Sequence, residues 1–98
     1  MSGYWAASVL ESGRRLTAFD KRRIKGDAMD WLRDRLPLSV TDSASGVLML
    51  HNRGGRVPAW EGVLNGLGLV YSVSVSGGWT WYFIDFARKS NLRILAEV

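Results

Sequence analysis

The chain has 98 residues, of which 47% are hydrophobic and 22% are charged, with a net charge of +4 and no cysteine. This length fits one domain, and this composition is that of a soluble globular protein rather than a disordered chain. The absence of cysteine excludes disulfides, thiolate zinc sites and cysteine nucleophiles, and it fits a reducing compartment, so we expect a cytoplasmic protein. No signal peptide is indicated, and no segment approaches the ~20 apolar residues of a membrane-spanning helix.

The N-terminal third, residues 4–36, carries a helical pattern in two parts. Apolar residues recur at helical spacing in both parts, which predicts one face of each helix packed on a core. Thr17 and Asp20 have the spacing of a capping box and predict the start of the second helix. Gly26 and Asp27 predict a break within it, because glycine suits the end of one helix and aspartate the N-cap of the next.

The middle and the end of the chain predict shorter elements. Residues 39–46 are rich in turn-forming residues, and the apolar run after them predicts a strand over 46–51. A proline that suits the first position of a helix predicts a short helix over 58–65. Alternating apolar and polar residues predict a last strand over 91–97.

A hairpin over 69–86 is the strongest structural signal in the sequence. Gly77 and Gly78 form a two-residue turn signal between two β-rich runs, and such a turn places Ser76 opposite Trp79. With the other elements, the hairpin predicts an α+β fold. In that fold the N-terminal helices pack on a small antiparallel sheet of about four strands, centred on hairpin 69–86.

The register of this hairpin divides its side chains between two faces of the sheet. The first is an ordinary core face, with the pairs Val75/Thr80, Val73/Tyr82, Tyr71/Ile84 and Leu69/Phe86. The second pairs Ser76/Trp79, Ser74/Trp81, Ser72/Phe83 and Val70/Asp85. The three aromatic side chains of the second face represent ~500 Å² or more of apolar surface. A patch of this size reaches the top of the range exposed on monomers, so we expect something to cover it. The chain's own helices, a protein partner or second copy, and stacked nucleobases all remain open as covers.

A basic segment, residues 14–25, is a second candidate for partner binding, because clustered positive charge attracts phosphates and acidic protein surfaces. Six of its twelve residues are cationic. They are Arg14, Arg15, Lys21, Arg22, Arg23 and Lys25. A solvated helix face, partly neutralised by nearby acidic residues, is the competing interpretation.

A weaker candidate for anion binding is the run Arg53, Gly54, Gly55 and Arg56, which precedes the predicted helix 58–65. Flexible backbone N–H groups, two guanidiniums and a helix N-terminus can together hold a phosphate or a carboxylate. A flexible turn with exposed arginines is the alternative.

Catalysis finds little support in the sequence. The only histidine cannot supply a multi-histidine metal site, and no nucleophile-elbow pattern is present. We therefore expect no metal and no cofactor. The sequence favours a small non-catalytic binding protein that acts by stoichiometric contact with a protein partner, as an inhibitor, adaptor or subunit.

Small proteins of this profile are often encoded by phages or plasmids and directed at host nucleic-acid machinery, and an acidic partner surface would suit the basic chain. A homodimer is a further possibility for the partner. The alternative function is nucleic-acid binding through segment 14–25 and the aromatic sheet face. A small hydrolase or nuclease is the remaining alternative, and no membrane partner is expected.

Overall fold

The computed structural model of the chain describes residues 3–36, 40–42 and 47–97. It contains four helices and four strands in these residues. In chain order they are α1 (Gly3–Ser12), α2 (Ala18–Arg33), β1 (Val40–Asp42), β2 (Val47–Arg53), α3 (Pro58–Gly66), β3 (Ser72–Ser76), β4 (Trp79–Asp85) and α4 (Lys89–Ala96). The strands form one antiparallel sheet in the order β1-β2-β4-β3. The predicted α+β class, with N-terminal helices on an antiparallel sheet, is confirmed.

The short elements in the middle of the chain differ from the prediction mainly at their ends. The turn predicted over 39–46 contains β1 at residues 40–42, and its other residues lie outside the described ones. The first residue of the predicted strand 46–51 also lies outside them, and the strand continues to Arg53. The predicted helix 58–65 forms and extends by one residue.

The start of α2 has the capping box that the sequence predicts. The Asp20 backbone N–H donates to the Thr17 hydroxyl at 3.2 Å, and the Asp20 carboxylate accepts a bond from the Thr17 N–H at 2.9 Å. The Arg14 guanidinium binds the same carboxylate through two nitrogens. Asp20 is only 3% exposed, so its charge is compensated almost entirely within the protein.

The predicted break at Gly26 and Asp27 is wrong, because α2 continues without interruption to Arg33. The buried face of α2 has residues both before and after Gly26. The residues of that face are Ile24, Ala28, Trp31 and Leu32. Their burial outweighs the ~1 kcal/mol that a glycine costs inside a helix.

The hairpin has the predicted register near its turn. Ser76 pairs with Trp79, and the ladder continues in step to the pair Ser72 and Phe83. Gly77 and Gly78 have φ of 58° and 78°, and positive φ at both central residues is typical of a type I′ turn.

The outermost pairs predicted for the hairpin, Tyr71/Ile84, Val70/Asp85 and Leu69/Phe86, do not form, because β3 begins at Ser72. The Asn91 side chain replaces them. Its Oδ1 accepts from the Val70 N–H, and its Nδ2 donates to the carbonyls of Val70 and Asp85, each at 2.9 Å. A buried amide therefore satisfies the backbone groups where the ladder ends.

The last strand predicted over 91–97 is wrong, because this segment forms α4. Leu92 and Leu95 are both buried. Residues three apart share one face of a helix, whereas in a strand they would point to opposite faces of the sheet. A helix is therefore the conformation that buries both leucines against the same core.

The hydrophobic core takes buried side chains from all four helices but from one face of the sheet. The sheet contributes Leu48, Leu50, Tyr82 and Ile84, which are fully buried and occupy paired positions on β2 and β4. Helix α1 packs mainly on α4, and α2 packs on α4, β1 and β2. The helices therefore cover one side of the sheet. None of the described helices is long and apolar enough to cross a bilayer.

Candidate binding face

The opposite side of the sheet carries the aromatic side chains that the sequence placed together. The pairing of β2 with β4 adds residues of β2 that the sequence analysis did not connect with them. We call this surface the aromatic face. It consists of Met49, His51 and Arg53 on β2, Trp79, Trp81 and Phe83 on β4, and Ser72, Ser74 and Ser76 on β3.

Three rings form a connected cluster at the centre of the aromatic face. The ring centroid of His51 lies 5.1 Å from that of Trp81 and 5.6 Å from that of Trp79, and the two tryptophan centroids are 6.4 Å apart. All three pairs are tilted, with interplanar angles between 33° and 57°. Distances of this size are typical of favourable aromatic packing, which holds the cluster in place before any partner binds.

The aromatic face is open to solvent. Trp79 is 38% exposed, and Met49, His51, Trp81 and Phe83 are half-buried. Met49, Trp81 and Phe83 belong neither to the buried core nor to the hydrophobic side chains packed against it. Three covers for this face were considered from the sequence. The described helices pack on the other side of the sheet, so the prediction that they cover the aromatic face is wrong for the part of the chain that the structure describes. A partner protein, a second copy and nucleobases remain.

Charged residues lie at the two ends of the aromatic face. Arg53 occupies the same row as Trp79 at one end. At the other end, a cavity of about 440 Å³ opens beside Phe83, with Asp85 and Arg88 in its lining. The surface thus has an apolar centre between polar ends, as protein interfaces commonly do.

The basic segment 14–25 lies on the helical side of the molecule. Arg14 forms an ion pair with Asp20. This guanidinium and the backbone N–H of Thr17 hold the pKa of the Asp20 carboxyl well below its usual range. The Arg23 guanidinium lies over the Trp5 ring, 4.9 Å from its centroid. Within the segment, Arg15 and Arg22 are exposed and Lys21 is half-buried. The structure therefore does not bring the two predicted binding regions together.

The candidate anion site does not assemble, because its two arginines diverge. Arg56 binds Glu61 through two nitrogens, at 2.9 and 2.5 Å, and this pairing, with a hydrogen bond from Tyr82, lowers the pKa of Glu61 to about 2. Arg53 lies instead on the aromatic face.

The two glycines between these arginines serve the loop itself. The Gly54 N–H donates to the Gly78 carbonyl at 2.7 Å, and the Gly55 carbonyl accepts from the Asn52 amide at 3.0 Å. Polar groups of this loop are thus engaged by the protein's own backbone and side chains.

Metal chemistry is not supported by any cluster in the part of the chain that the structure describes, where no three histidine or acidic side chains come together as ligands. His51 is instead part of the aromatic cluster. Its alternation with buried Leu50 is the signal that would place it on the outward side of β2, but the sequence does not show which strand lies beside it.

The chain matches no protein-family model, and neither the curated proteins nor the solved structures contain a match to it. The chemistry of the aromatic face and its position in the fold are therefore the basis for assigning a function.

Proposed function

We propose that the chain is a non-catalytic cytoplasmic binding protein that holds a protein partner on its aromatic face, with one copy bound to one partner. Such a protein would act as an inhibitor, adaptor or subunit. The observation that carries the proposal is the cluster of Trp79, Trp81 and His51, which lies on the side of the sheet opposite the helices.

The composition of the aromatic face supports a protein partner. Tryptophan, methionine and arginine are enriched at the centres of protein interfaces, whereas lysine, glutamate and serine are depleted there. The serines of the aromatic face lie on the edge strand β3, beside its aromatic centre. The face contains the three enriched residue types and neither lysine nor glutamate. Tryptophan and arginine also supply most binding hot spots, so Trp79, Trp81 and Arg53 are the expected anchors.

Nucleic acid is a weaker candidate because of where the charges lie. Binding of single strands requires a positively charged groove alongside the stacking residues. The basic segment 14–25 lies on the helical side, and the described arginines at the aromatic face are Arg53 and Arg88. A strand stacked on Trp79 and Trp81 would leave most of its phosphates without a cation.

The test is capture of the partner by the wild-type chain and by Trp79→Ser plus Trp81→Ser. Both side chains lie outside the core, so the double variant should still fold and should unfold cooperatively in urea. Hot-spot tryptophans contribute about 2 kcal/mol or more each, so the affinity for the captured protein should fall by about 1,000-fold. Phe19→Ser is the matched control, because Phe19 is 62% exposed on α2.

The outcomes separate the alternatives. If the double variant keeps its affinity, the aromatic face is not the binding site, and if it unfolds, the two tryptophans are structural. Titration with single-stranded DNA and RNA at low salt tests the nucleic-acid alternative. Binding of a labelled strand, followed by the anisotropy of the label, would replace the protein partner with a nucleic acid if log affinity falls linearly with log salt concentration and the double variant abolishes the binding.

A further inference from the structure

Strand β3 lies at an edge of the sheet, with β4 as its neighbour. Natural edge strands are usually protected by lysine, proline, a bulge or a cover, because their free N–H and C=O groups pair readily with another strand. β3 has the sequence Ser-Val-Ser-Val-Ser, without a charge or a proline, and four of its five residues are exposed. The outer backbone groups of β3 can therefore form hydrogen bonds with another strand.

Exposed hydrophobic side chains are concentrated at the same edge. Four large hydrophobic residues are exposed among the described residues, and they are Phe19, Val70, Val75 and Trp79. The last three lie on the hairpin or directly before it. Val75 is 62% exposed although it lies on the helical side of the sheet, where a buried side chain was predicted. Contact along the β3 edge would cover Val75, which lies on that strand.

The turn determines which backbone groups of β3 point outwards. In a two-residue hairpin the pair next to the turn, here Ser76 and Trp79, is hydrogen-bonded, and hydrogen-bonded and non-hydrogen-bonded pairs then alternate. The backbone groups of the three serines of β3 therefore point towards β4. Those of Val73 and Val75 point outwards, where a second strand would meet them.

We propose that two copies of the chain pair antiparallel along β3, about a two-fold axis that passes through Ser74. Val73 of each copy then exchanges both of its backbone hydrogen bonds with Val75 of the other, and Ser74 faces Ser74. The result is one continuous eight-stranded sheet, with four strands from each copy.

This register is the one that pairs all five residues of β3 with all five residues of the other copy. A two-fold axis through Val73 or Val75 would also bring the outward-pointing backbone N–H and C=O groups of the two copies together. Either axis, however, would leave some residues of β3 without a partner residue in the other copy. With the axis through Ser74, serine meets serine on the aromatic side and valine meets valine on the helical side. The two aromatic faces then lie on the same side of the joined sheet.

The distribution of charge makes this edge a place where two copies meet little repulsion. Each copy has a net charge of +4, so two copies repel each other over most orientations. Residues 62–84 contain no charged side chain, and they include the whole of β3 and all of β4 except Asp85. Because two short edges form a small interface, we expect a dissociation constant in the micromolar range.

Charge pairs at the axis test the proposal. Sedimentation equilibrium should show a concentration-dependent dimer for the wild-type chain. Ser74→Lys and Ser74→Glu should each be monomeric at the same concentrations, because like charges face each other at the axis. An equimolar mixture of the two should dimerise again. A monomeric wild type at high concentration, a dimeric Ser74→Lys, or a mixture that stays monomeric would each overturn the proposal.

Cysteine variants test the register, since the chain has no cysteine of its own. Ser74→Cys should form a disulfide-linked dimer under mild oxidation, because directly opposed residues have Cα atoms about 4.5–5.5 Å apart. Ser72→Cys is the matched control. Its two copies would lie about 14 Å apart and should not cross-link, whereas a mixture with Ser76→Cys should. Efficient cross-linking of Ser72→Cys alone would rule out this register.

The dimer and the aromatic-face proposal can fail separately. Trp79→Ser plus Trp81→Ser leaves the outward groups of Val73 and Val75 unchanged, so this variant should still dimerise. Val75→Lys, conversely, changes the helical side of the edge strand, where lysine blocks strand pairing. It should be monomeric and should keep its affinity for a partner bound to the aromatic face of one copy. If the β3 edge instead takes a strand from another protein, the wild-type chain stays monomeric alone and the proposed dimer is wrong.

Discussion

The Tyr82 hydroxyl donates a hydrogen bond to the Glu61 carboxylate at 2.7 Å and thereby joins the middle of β4 to α3. The same hydroxyl accepts a bond from the Val57 N–H at 2.8 Å, at the residue that precedes α3. Tyr82 is fully buried, and its ring also packs against those of Trp60 and Tyr71. This side chain therefore positions the short helix α3 on the core face of the sheet.

Tyr82→Phe should destabilise the protein by about 1–3 kcal/mol, because it leaves the part-buried Val57 N–H without an acceptor and removes one of the hydrogen bonds to the Glu61 carboxylate. Urea unfolding measures the loss. Tyr71→Phe is the control, since the Tyr71 hydroxyl bonds to Asn65 in an exposed position. We expect that loss to be under ~0.5 kcal/mol. Equal losses in the two variants would show that the buried hydroxyl has no special role.

Glu61 should make stability depend on pH. Pairing with Arg56 and then the Tyr82 bond lower its folded-state pKa from 4.5 to about 2. A lowered pKa contributes stability above the unfolded-state value, and that contribution is lost as pH falls from about 4.5 to about 2. The melting temperatures of wild type and Glu61→Gln should therefore converge across this window. The difference between the two proteins is the observable, because Asp20 also has a lowered pKa. A difference that stays constant down to pH 2 would contradict the assignment.

Gly26→Ala should stabilise the protein by about 0.5–1 kcal/mol, because alanine is a better helix former and restricts the unfolded chain. Gly26 lies inside α2, and a Cβ atom added there meets no atom within 4 Å. Gly13→Ala is the matched control with the opposite sign, since Gly13 has φ of 63°. We expect that change to cost about 1 kcal/mol. A destabilising Gly26→Ala would mean that α2 is interrupted after all.

Asn91→Ala should be the most damaging of these substitutions, with a loss of about 3 kcal/mol or more, because it leaves three backbone groups without partners. Those groups belong to Val70 and Asp85. Ser90→Ala, at the exposed neighbouring position, should change stability by less than ~0.5 kcal/mol. Chemical denaturation of both variants checks this, and a small effect of Asn91→Ala would show that the ladder re-pairs at its outer end.

Local signals determined the parts of the fold that were predicted correctly. A two-residue turn fixes which side chain faces which, so the register from Ser76 to Trp79 followed from Gly77 and Gly78 alone. The segment 91–97 was mistaken for a strand because Leu92, Ile94 and Ala96 alternate. Leu95 was the residue that broke that pattern, since a strand would have turned it away from the core.

The two sides of the sheet could be told apart from the sequence only in part. The register showed that Trp79, Trp81 and Phe83 share a face, but not whether the helices would cover it. That choice depends on the contacts of α2 and α4 with distant residues, and burial is favourable on either side of a sheet. The addition of His51 depends likewise on the pairing of β2 with β4.

The Asn91 amide has a consequence for how the molecule opens. The segment from Val70 to Asn91 is closed into a loop by the hydrogen bonds of this one side chain. Among the described residues, no strand ladder holds its two ends together. We therefore expect fraying of the first turn of α4 to release Val70 and Asp85 together, so that the base of the hairpin exchanges its amide hydrogens with that helix. The tip at Gly77 and Gly78 should open separately, which would divide the hairpin between two cooperative units.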